Sequence, residues 1–139
     1  ERDMGLNDIG ATGVPIDGLI TADFLLNVFI PNTPLHDGAA IVRGNRLVAA
    51  GCLLPLTENR SLSTELGTRH RAAIGLSEQC DALVVVVSEE TGTISTAENG
   101  RITRHLDKER LKKKLSSAFL PTEGIRELRD VVKNWRRKK

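Results

Sequence analysis

The sequence predicts an α/β protein of a single domain, built around a mixed β-sheet. A chain of 139 residues, 40% hydrophobic and 27% charged, is long enough to bury one proper core. Short apolar runs such as ALVVVV (residues 82–87) are typical of buried strands, and they alternate with segments whose apolar residues have helical spacing. Two glycine-containing turns, RGNR and ENGR, each join a pair of strand-like runs. Hairpins interspersed with helices indicate a mixed sheet.

In the first half of the chain, residues 21–30 (TADFLLNVFI) predict a helix. Thr21 is a suitable N-cap, and Pro31 ends the helical pattern. The preceding segment, GLNDIGATGVP, is rich in glycine and reads as irregular. After a loop, AAIV and LVAAGCLL flank the RGNR turn and predict a hairpin whose strands are buried on both faces.

In the second half, residues 68–79 predict a helix that Thr68 caps. The valine run before residue 88 predicts a central strand, and TISTA and ITRHL predict a second hairpin that turns at Asn99-Gly100. Asp107 is a suitable cap for the helix KERLKKKLSSAF. Pro121 is predicted to begin a last amphipathic helix, whose apolar stripe would contain Ile125, Leu128, Val132 and Trp135.

Composition argues against several classes of protein. The 20 Lys and Arg nearly balance the 18 Asp and Glu, so charge alone does not indicate nucleic-acid binding. Cys52 and Cys80 are far apart and form no CxxC pair, which argues for a reducing compartment and against a disulfide scaffold or a zinc site. No apolar run approaches the roughly 20 residues of a spanning helix, so we expect this chain to be soluble.

The helix predicted at residue 68 has an unusual first turn, because it contains Arg69, His70 and Arg71. A helix N-terminus already carries a partial positive charge and normally attracts Asp or Glu. Free backbone N–H groups and two guanidinium groups would together bind an oxyanion such as phosphate. The alternative is that the arginines face water or pair with Glu58 or Glu65.

Two further segments offer groups that could act on such a ligand. Asp37-Gly38, next to His36, is either a simple turn or a point where a ligand approaches the backbone at the mouth of a buried strand. Ser88 and the acidic pair at 89–90 follow the most apolar strand, where they form either a solvated loop or a site for a divalent metal.

Four stretches together, FIPNTPLHDGA, LPL, ELGTRHRAA and VVVSEETG, resemble the signature of diadenylate cyclase domains. These enzymes condense two ATP into cyclic di-adenosine monophosphate, a bacterial second messenger. The resemblance is greatest to the membrane-anchored bacterial class and extends to about residue 120. It implies a twisted mixed β-sheet flanked by helices, with residues 1–120 as the catalytic domain and 121–139 as a basic amphipathic C-terminal helix or tail.

The resemblance also implies roles for individual residues. Asp37 would orient the ribose 3′-hydroxyl and help to deprotonate it, while His36 and Glu90 would coordinate Mn²⁺ or Mg²⁺, with Co²⁺ as a further possibility. The residues expected to contact the nucleotide are Gly38, Ala39, Thr68, Arg69, His70, Arg71 and Ser88. Relatives often have a tyrosine where Leu53 stands, and this chain has none, so Leu53 or Leu54 would hold adenine through apolar contact.

Further expectations concern assembly and location. Relatives begin with an additional core strand, preceded by membrane-spanning helices, so we expect a truncated chain with one sheet edge unpaired and membrane attachment only through the absent segments. The complete protein would lie on the cytoplasmic side of the membrane. The two-fold symmetry of the product implies a homodimer in which two ATP molecules meet face to face.

Two rival interpretations remain open. A nucleotide-binding sensor module would bind ATP without making product, although the presence of Asp37 argues against it. A nucleic-acid binder is suggested by the terminal KNWRRKK, where Trp135 could stack on a base. We do not expect nucleic-acid binding, because a charged chain end is usually only a solvated terminus.

Overall fold

The elements of the chain alternate between helices and antiparallel hairpins. A computed structural model describes residues 1–62 and 66–119. In chain order its elements are α1 (Asn7–Gly10), β1 (Val14–Leu19), α2 (Ala22–Val28), β2 (Ala39–Arg43), β3 (Arg46–Cys52), α3 (Thr68–Gln79), β4 (Val84–Val87), β5 (Ile94–Glu98), β6 (Arg101–Thr103) and α4 (Lys108–Phe119). The predicted α/β class is confirmed.

The first sheet has the strand order β1-β3-β2, and both pairings are antiparallel. The predicted β2–β3 hairpin is therefore confirmed. Strand β1 was not predicted, because its sequence VPIDGL contains Pro and Gly and is interrupted by a bulge. Asp17 in that bulge has a φ of 56°, and Arg46 Nε donates to its carboxylate at 2.6 Å.

The second sheet has the strand order β4-β5-β6, again antiparallel. Asn99 and Gly100 both have positive φ, which confirms the predicted turn between β5 and β6. The prediction of β4 as a central strand is wrong for the described strands, since β4 pairs only with β5 and lies at the edge. Its Val85 and Val87 are 42% and 50% exposed, so the apolar run does not reflect burial on both faces.

Helix α3 packs against both sheets. The sequence predicted one mixed sheet, whereas the structure has two separate antiparallel sheets that share this helix. Leu76 packs in a cluster with Ile41 and Ala49 of the first sheet. Ile74, on the same helix, packs in a second cluster with Val86 and Ala97 of the second sheet. The core is thus continuous through the helix rather than through strand pairing.

Two of the three predicted helix N-caps are present in the structure, and the third, Thr68, is not. Thr21 Oγ1 accepts from the Phe24 N–H at 3.1 Å, and Asp107 accepts from the Arg110 N–H at 2.8 Å, so both predicted caps are confirmed. Thr68 is not the cap of α3, because the helix begins at Thr68 and Gly67 occupies the N-cap position.

The chain divides into two units, Glu1–Leu106 and Asp107–Lys139. The first contains both sheets and helices α1 to α3, and the second contains α4. The predicted last amphipathic helix and the tail at 121–139 lie outside the described residues.

Candidate functional site

The Asp37-Gly38 loop is held against the end of strand β3. Gly38 has a φ of +113°, and a Cβ at this position would lie 2.7 Å from the Cys52 carbonyl oxygen and 2.8 Å from the Gly51 carbonyl carbon. Only glycine meets both the backbone angle and the close approach. The adjacent Asp37 is exposed, and Ala39 begins β2. The loop therefore presents a carboxylate to solvent from a fixed backbone.

The N-terminus of α3 has no side-chain cap among the described residues. Gly67 provides no capping side chain, and the first turn contains no acidic residue. Thr68 and Arg69 are exposed, while Arg71 is partly buried. The uncapped N–H groups and the two arginines form a positively charged surface suited to phosphate oxygens. The alternative pairing of these arginines with Glu58 is absent from the ion pairs of the described residues, and Glu65 lies outside them.

Glu89 contacts both the segment of the Asp37-Gly38 loop and the N-terminus of α3 through one carboxylate oxygen. Its Oε1 forms an ion pair with Arg69 Nη2 and also lies 3.8 Å from His36 Nε2. The acidic loop after β4 thus contacts both the residue that precedes the Asp37-Gly38 loop and the N-terminus of α3. Three segments that are separate in the sequence meet at this carboxylate.

The carboxylate beside His36 is that of Glu89, whereas the sequence had favoured Glu90 as the metal ligand. Glu90 is exposed, and it forms no ion pair with any other described residue. The turn that contains both is closed by Ser88, whose N–H donates to the Thr93 carbonyl at 3.0 Å and whose carbonyl accepts from the Gly92 N–H at 2.9 Å. Adjacent acidic residues in a turn give no sequence signal that separates them, so the contact of Glu89 with His36 was not predicted.

His36 and Glu89 could hold a metal ion as a pair of ligands. His36 Nε2 and Glu89 Oε1 lie 3.8 Å apart, and an imidazole nitrogen and a carboxylate oxygen are both ordinary donors to a divalent cation. The described residues contain no group of three or more His, Cys, Asp or Glu that could hold an ion. A metal at this pair would need its remaining ligands from water or from a bound substrate.

His70 lies on the buried side of α3, unlike the arginines on either side of it in sequence. It is 6% exposed, and its Nε2 has no hydrogen-bond partner among the described residues. Burial, with the Arg104 charge as a second cause, lowers the pKa of His70 below its ordinary value of 6.5. In this conformation the imidazole is neutral and faces the protein interior rather than the phosphate side.

The leucines predicted to hold adenine follow strand β3. Leu53 is 70% exposed, whereas Leu54 is partly buried against the first-sheet core. Their segment is held to α3, since the Thr57 N–H donates to the Arg71 carbonyl at 3.1 Å. A Cβ on Gly75 would lie 2.0 Å from the Pro55 carbonyl oxygen, so the close approach requires glycine. The exposed apolar surface at Leu53 is thereby fixed relative to the arginines.

A comparison with models of protein families identifies the family of this chain. The DAC model, described as DisA bacterial checkpoint controller nucleotide-binding, matches residues 1–102. This chain belongs to the DAC family. The matched residues contain the whole of the site described above, and the resemblance seen in the motifs is confirmed.

Curated relatives of this DAC chain have closely similar sequences. The cyclic di-AMP synthase CdaA of Bacillus subtilis is 49% identical over 142 residues, covering 100% of this chain and 50% of the relative. A diadenylate cyclase of Listeria monocytogenes is 51% identical over 112 residues, covering 81% of this chain and 41% of the relative. The chain therefore spans about half the length of the curated relatives it matches.

Solved structures share the fold. A crystal structure of a DacA double mutant from Staphylococcus aureus superposes with a TM-score of 0.85 at 45% identity, covering 87% of this chain and 81% of that one. The hypothetical membrane spanning protein from Bacillus cereus gives 0.74 at 48% identity, covering 77% and 52%. Among the described residues of this chain, no helix is both long enough and apolar enough to cross a membrane.

Proposed function

We propose that this chain is the catalytic domain of a diadenylate cyclase, which converts two ATP into one cyclic di-AMP and two diphosphates. The observation that carries the proposal is the contact of Glu89 with both Arg69 and His36, because it joins a carboxylate loop, a cationic helix N-terminus and a metal-ligand pair in one place. The names of the Bacillus and Listeria relatives support the same reaction.

Asp37 would act on the attacking nucleophile. The ribose 3′-hydroxyl is a poor nucleophile at neutral pH, so attack on an α-phosphorus requires a group that takes up its proton. The exposed Asp37 carboxylate, on a backbone fixed by Gly38, would accept that proton as the new O–P bond forms and the bond to diphosphate breaks. Gly38 and Ala39 would line the sugar.

The N-terminus of α3 would bind the phosphates. Thr68, Arg69 and Arg71 would contact the triphosphate, and positive charge there would stabilise the departing diphosphate. Ser88 would lie beside the same phosphates, and Leu53 or Leu54 would cover the adenine. His70 would act indirectly, by packing beneath the turn that carries the two arginines.

A divalent cation would be held by His36 together with a carboxylate of the loop after β4, for which the resemblance implies Glu90. When bound, the cation would act as a Lewis acid toward phosphate oxygens. A nitrogen and carboxylate pair favours Mn²⁺ over the harder Mg²⁺, and it would also accept Co²⁺. Glu89, which lies 3.8 Å from His36, would supply a second carboxylate close to the ion.

Catalysis would require two copies of the chain. Cyclic di-AMP contains two equivalent phosphodiester bonds, so two sites that face each other across a two-fold axis would form both by the same chemistry. We further propose that the complete protein works at the cytoplasmic side of the membrane, in keeping with the membrane-spanning relative from Bacillus cereus.

Incubation with ATP and Mn²⁺, followed by mass analysis of the nucleotides, tests the proposal directly. We expect cyclic di-AMP and diphosphate in a ratio of one to two. Saturable ATP binding without any product would instead indicate a nucleotide-binding sensor.

A further inference from the structure

The hydroxyl of Thr12 holds the backbone of Leu53, a residue that is distant from it in the sequence. The Leu53 N–H donates to Thr12 Oγ1 at 2.8 Å, and the same hydroxyl donates to the Ile9 carbonyl at 2.6 Å. The hydroxyl therefore acts as donor and acceptor at once. Since Thr12 lies between α1 and β1, this one side chain joins the segment after β3 to α1.

The segment around Thr12 lies close against the end of β3. A Cβ on the next residue, Gly13, would lie 2.6 Å from Cys52 Sγ, so the close approach requires glycine. Ile9, whose carbonyl accepts from the Thr12 hydroxyl, packs against the first-sheet core. The hydroxyl is thus held between two packed segments and provides a fixed acceptor for the N–H that follows β3.

The side chain of Leu53 has little packing of its own. It is 70% exposed, and Leu53 is the first residue after β3. In the described sheet, Cys52 is the last residue of β3 that pairs with β2. Core packing therefore contributes little to the position of Leu53, and the hydrogen bond to Thr12 fixes its backbone beyond the end of the strand.

We propose that Thr12 is a positioning residue for the adenine of ATP: it holds Leu53 in place to cover the base and thereby raises nucleotide affinity without touching the nucleotide. This inference rests on the proposed function, in which Leu53 is one of two leucines that would cover the adenine. Apolar contact has no preferred direction, so it contributes only when the side chain lies at contact distance. A Leu53 backbone that is already fixed in the free protein lowers the ordering cost of binding.

Replacing Thr12 by valine removes the hydroxyl and keeps the branched shape of the side chain. The Leu53 N–H then loses its acceptor, and its position is no longer fixed. We expect Thr12→Val to lower ATP affinity about threefold to tenfold, the range given by the loss of one hydrogen bond. Thr12→Ser retains the hydroxyl and should restore native affinity.

Inorganic tripolyphosphate distinguishes this effect from damage to the phosphate surface, because it has neither base nor sugar. Calorimetry at one fixed Mn²⁺ concentration measures both ligands, and Thr12→Val should bind tripolyphosphate within about twofold of the native chain. Thr21→Val is the matched control, since Thr21 Oγ1 also accepts from a backbone N–H, that of Phe24. It should change neither affinity. Circular dichroism checks that each variant is folded.

A double-mutant cycle decides whether Thr12 acts through Leu53. Leu53→Ala keeps the backbone N–H and removes the side chain that would cover the base, so adding Thr12→Val should weaken ATP binding no further. Additive losses would overturn the proposal, as would equal weakening of ATP and tripolyphosphate by Thr12→Val. Unchanged ATP affinity in either single variant would overturn it as well. Product formation by the native chain is measured separately, so failure of the positioning role is distinguishable from failure of the cyclase assignment.

Discussion

At the scale of single residues, Asp37 provides the sharpest test of the proposed chemistry. Asp37→Asn preserves size and removes the charge that accepts the proton. We expect ATP binding to remain near normal while turnover falls about a hundredfold or more, as is usual when a general base is lost. Binding measured by calorimetry and product measured by mass spectrometry separate the two effects. Near-normal turnover would remove Asp37 from the mechanism.

His70 predicts a dependence of stability on pH. Its pKa is lowered in the folded chain, chiefly by burial, so the unfolded chain binds a proton more readily. The stabilising effect of the neutral imidazole is therefore complete above the ordinary value of 6.5 and is lost as pH falls below it. Denaturant unfolding at pH 7.5 and at pH 5.5 should show a smaller difference in His70→Gln than in the native chain.

The control for this measurement is the exposed His105, which has a positive φ that asparagine tolerates. His105→Asn should retain the native difference between the two pH values. If His70→Gln retains it too, the acid sensitivity comes from other groups.

The placement of individual residues was predictable from the sequence only where the residue type itself was informative. The positive φ of Gly38 and the exposure of Asp37 agree with the interpretation of an Asp-Gly loop. The contact of His36 with Glu89 depends on a turn closed by backbone hydrogen bonds, and the burial of His70 depends on which side of α3 meets the second sheet. Neither of these two features can be predicted from local composition.

At the scale of elements, the contact between α3 and residues 55–57 is the most demanding packing in the site. Gly75→Ala would bring a Cβ to within 2.0 Å of the Pro55 carbonyl oxygen, so the backbone must move. We expect a loss of about 1–3 kcal/mol in the free energy of unfolding, together with weaker ATP binding because the Leu53 segment shifts relative to the arginines.

Thermal melting and ATP calorimetry measure the two effects of Gly75→Ala. Gly5→Ala is a suitable control, since its new Cβ would meet nothing within 4 Å and its φ is not positive. A Gly75→Ala chain as stable as Gly5→Ala would show that the segment adjusts freely and that its position does not matter to the site.

Elements were predictable where turn chemistry determined them. Both hairpins follow from glycine-containing turns, and the caps of α2 and α4 follow from Thr21 and Asp107. Strand β1 escaped prediction because Arg46 supports a bulge at Asp17 that ordinary strand patterns exclude. The edge position of β4 could not be predicted from its valines, since the type of side chain does not determine which strands pair.

At the scale of the whole molecule, the symmetry of the product predicts that activity depends on assembly. A chain that pairs weakly would spend much of its time as a monomer, which holds only one of the two nucleotides. We expect specific activity at saturating ATP to rise with protein concentration and to level off when the dimer dominates.

A dilution series assayed together with light scattering makes this comparison. Flat specific activity over about a hundredfold range in which the measured mass stays monomeric would contradict the face-to-face mechanism. A rise that follows the appearance of the dimer mass would support it.

The sequence predicted the class of the molecule but not how its layers join. The α/β class follows from alternating helical and strand patterns, and the family follows from four short motifs. The packing of α3 against two sheets involves Leu76 in one cluster and Ile74 in another, and such long-range contacts are not encoded in any single window of sequence. The predicted tail helix lies outside the described residues.

The edge position of β4 has a consequence for the behaviour of concentrated solutions. Among the described strands, β4 pairs on one side only, and the exposed side chains of Val85 and Val87 add apolar surface beside that unpaired edge. Such an edge can template strand addition between molecules, which leads to turbidity on warming rather than to a closed, countable oligomer. Val85→Lys, a charge on that edge, should delay the onset of turbidity while leaving the temperature of unfolding nearly unchanged.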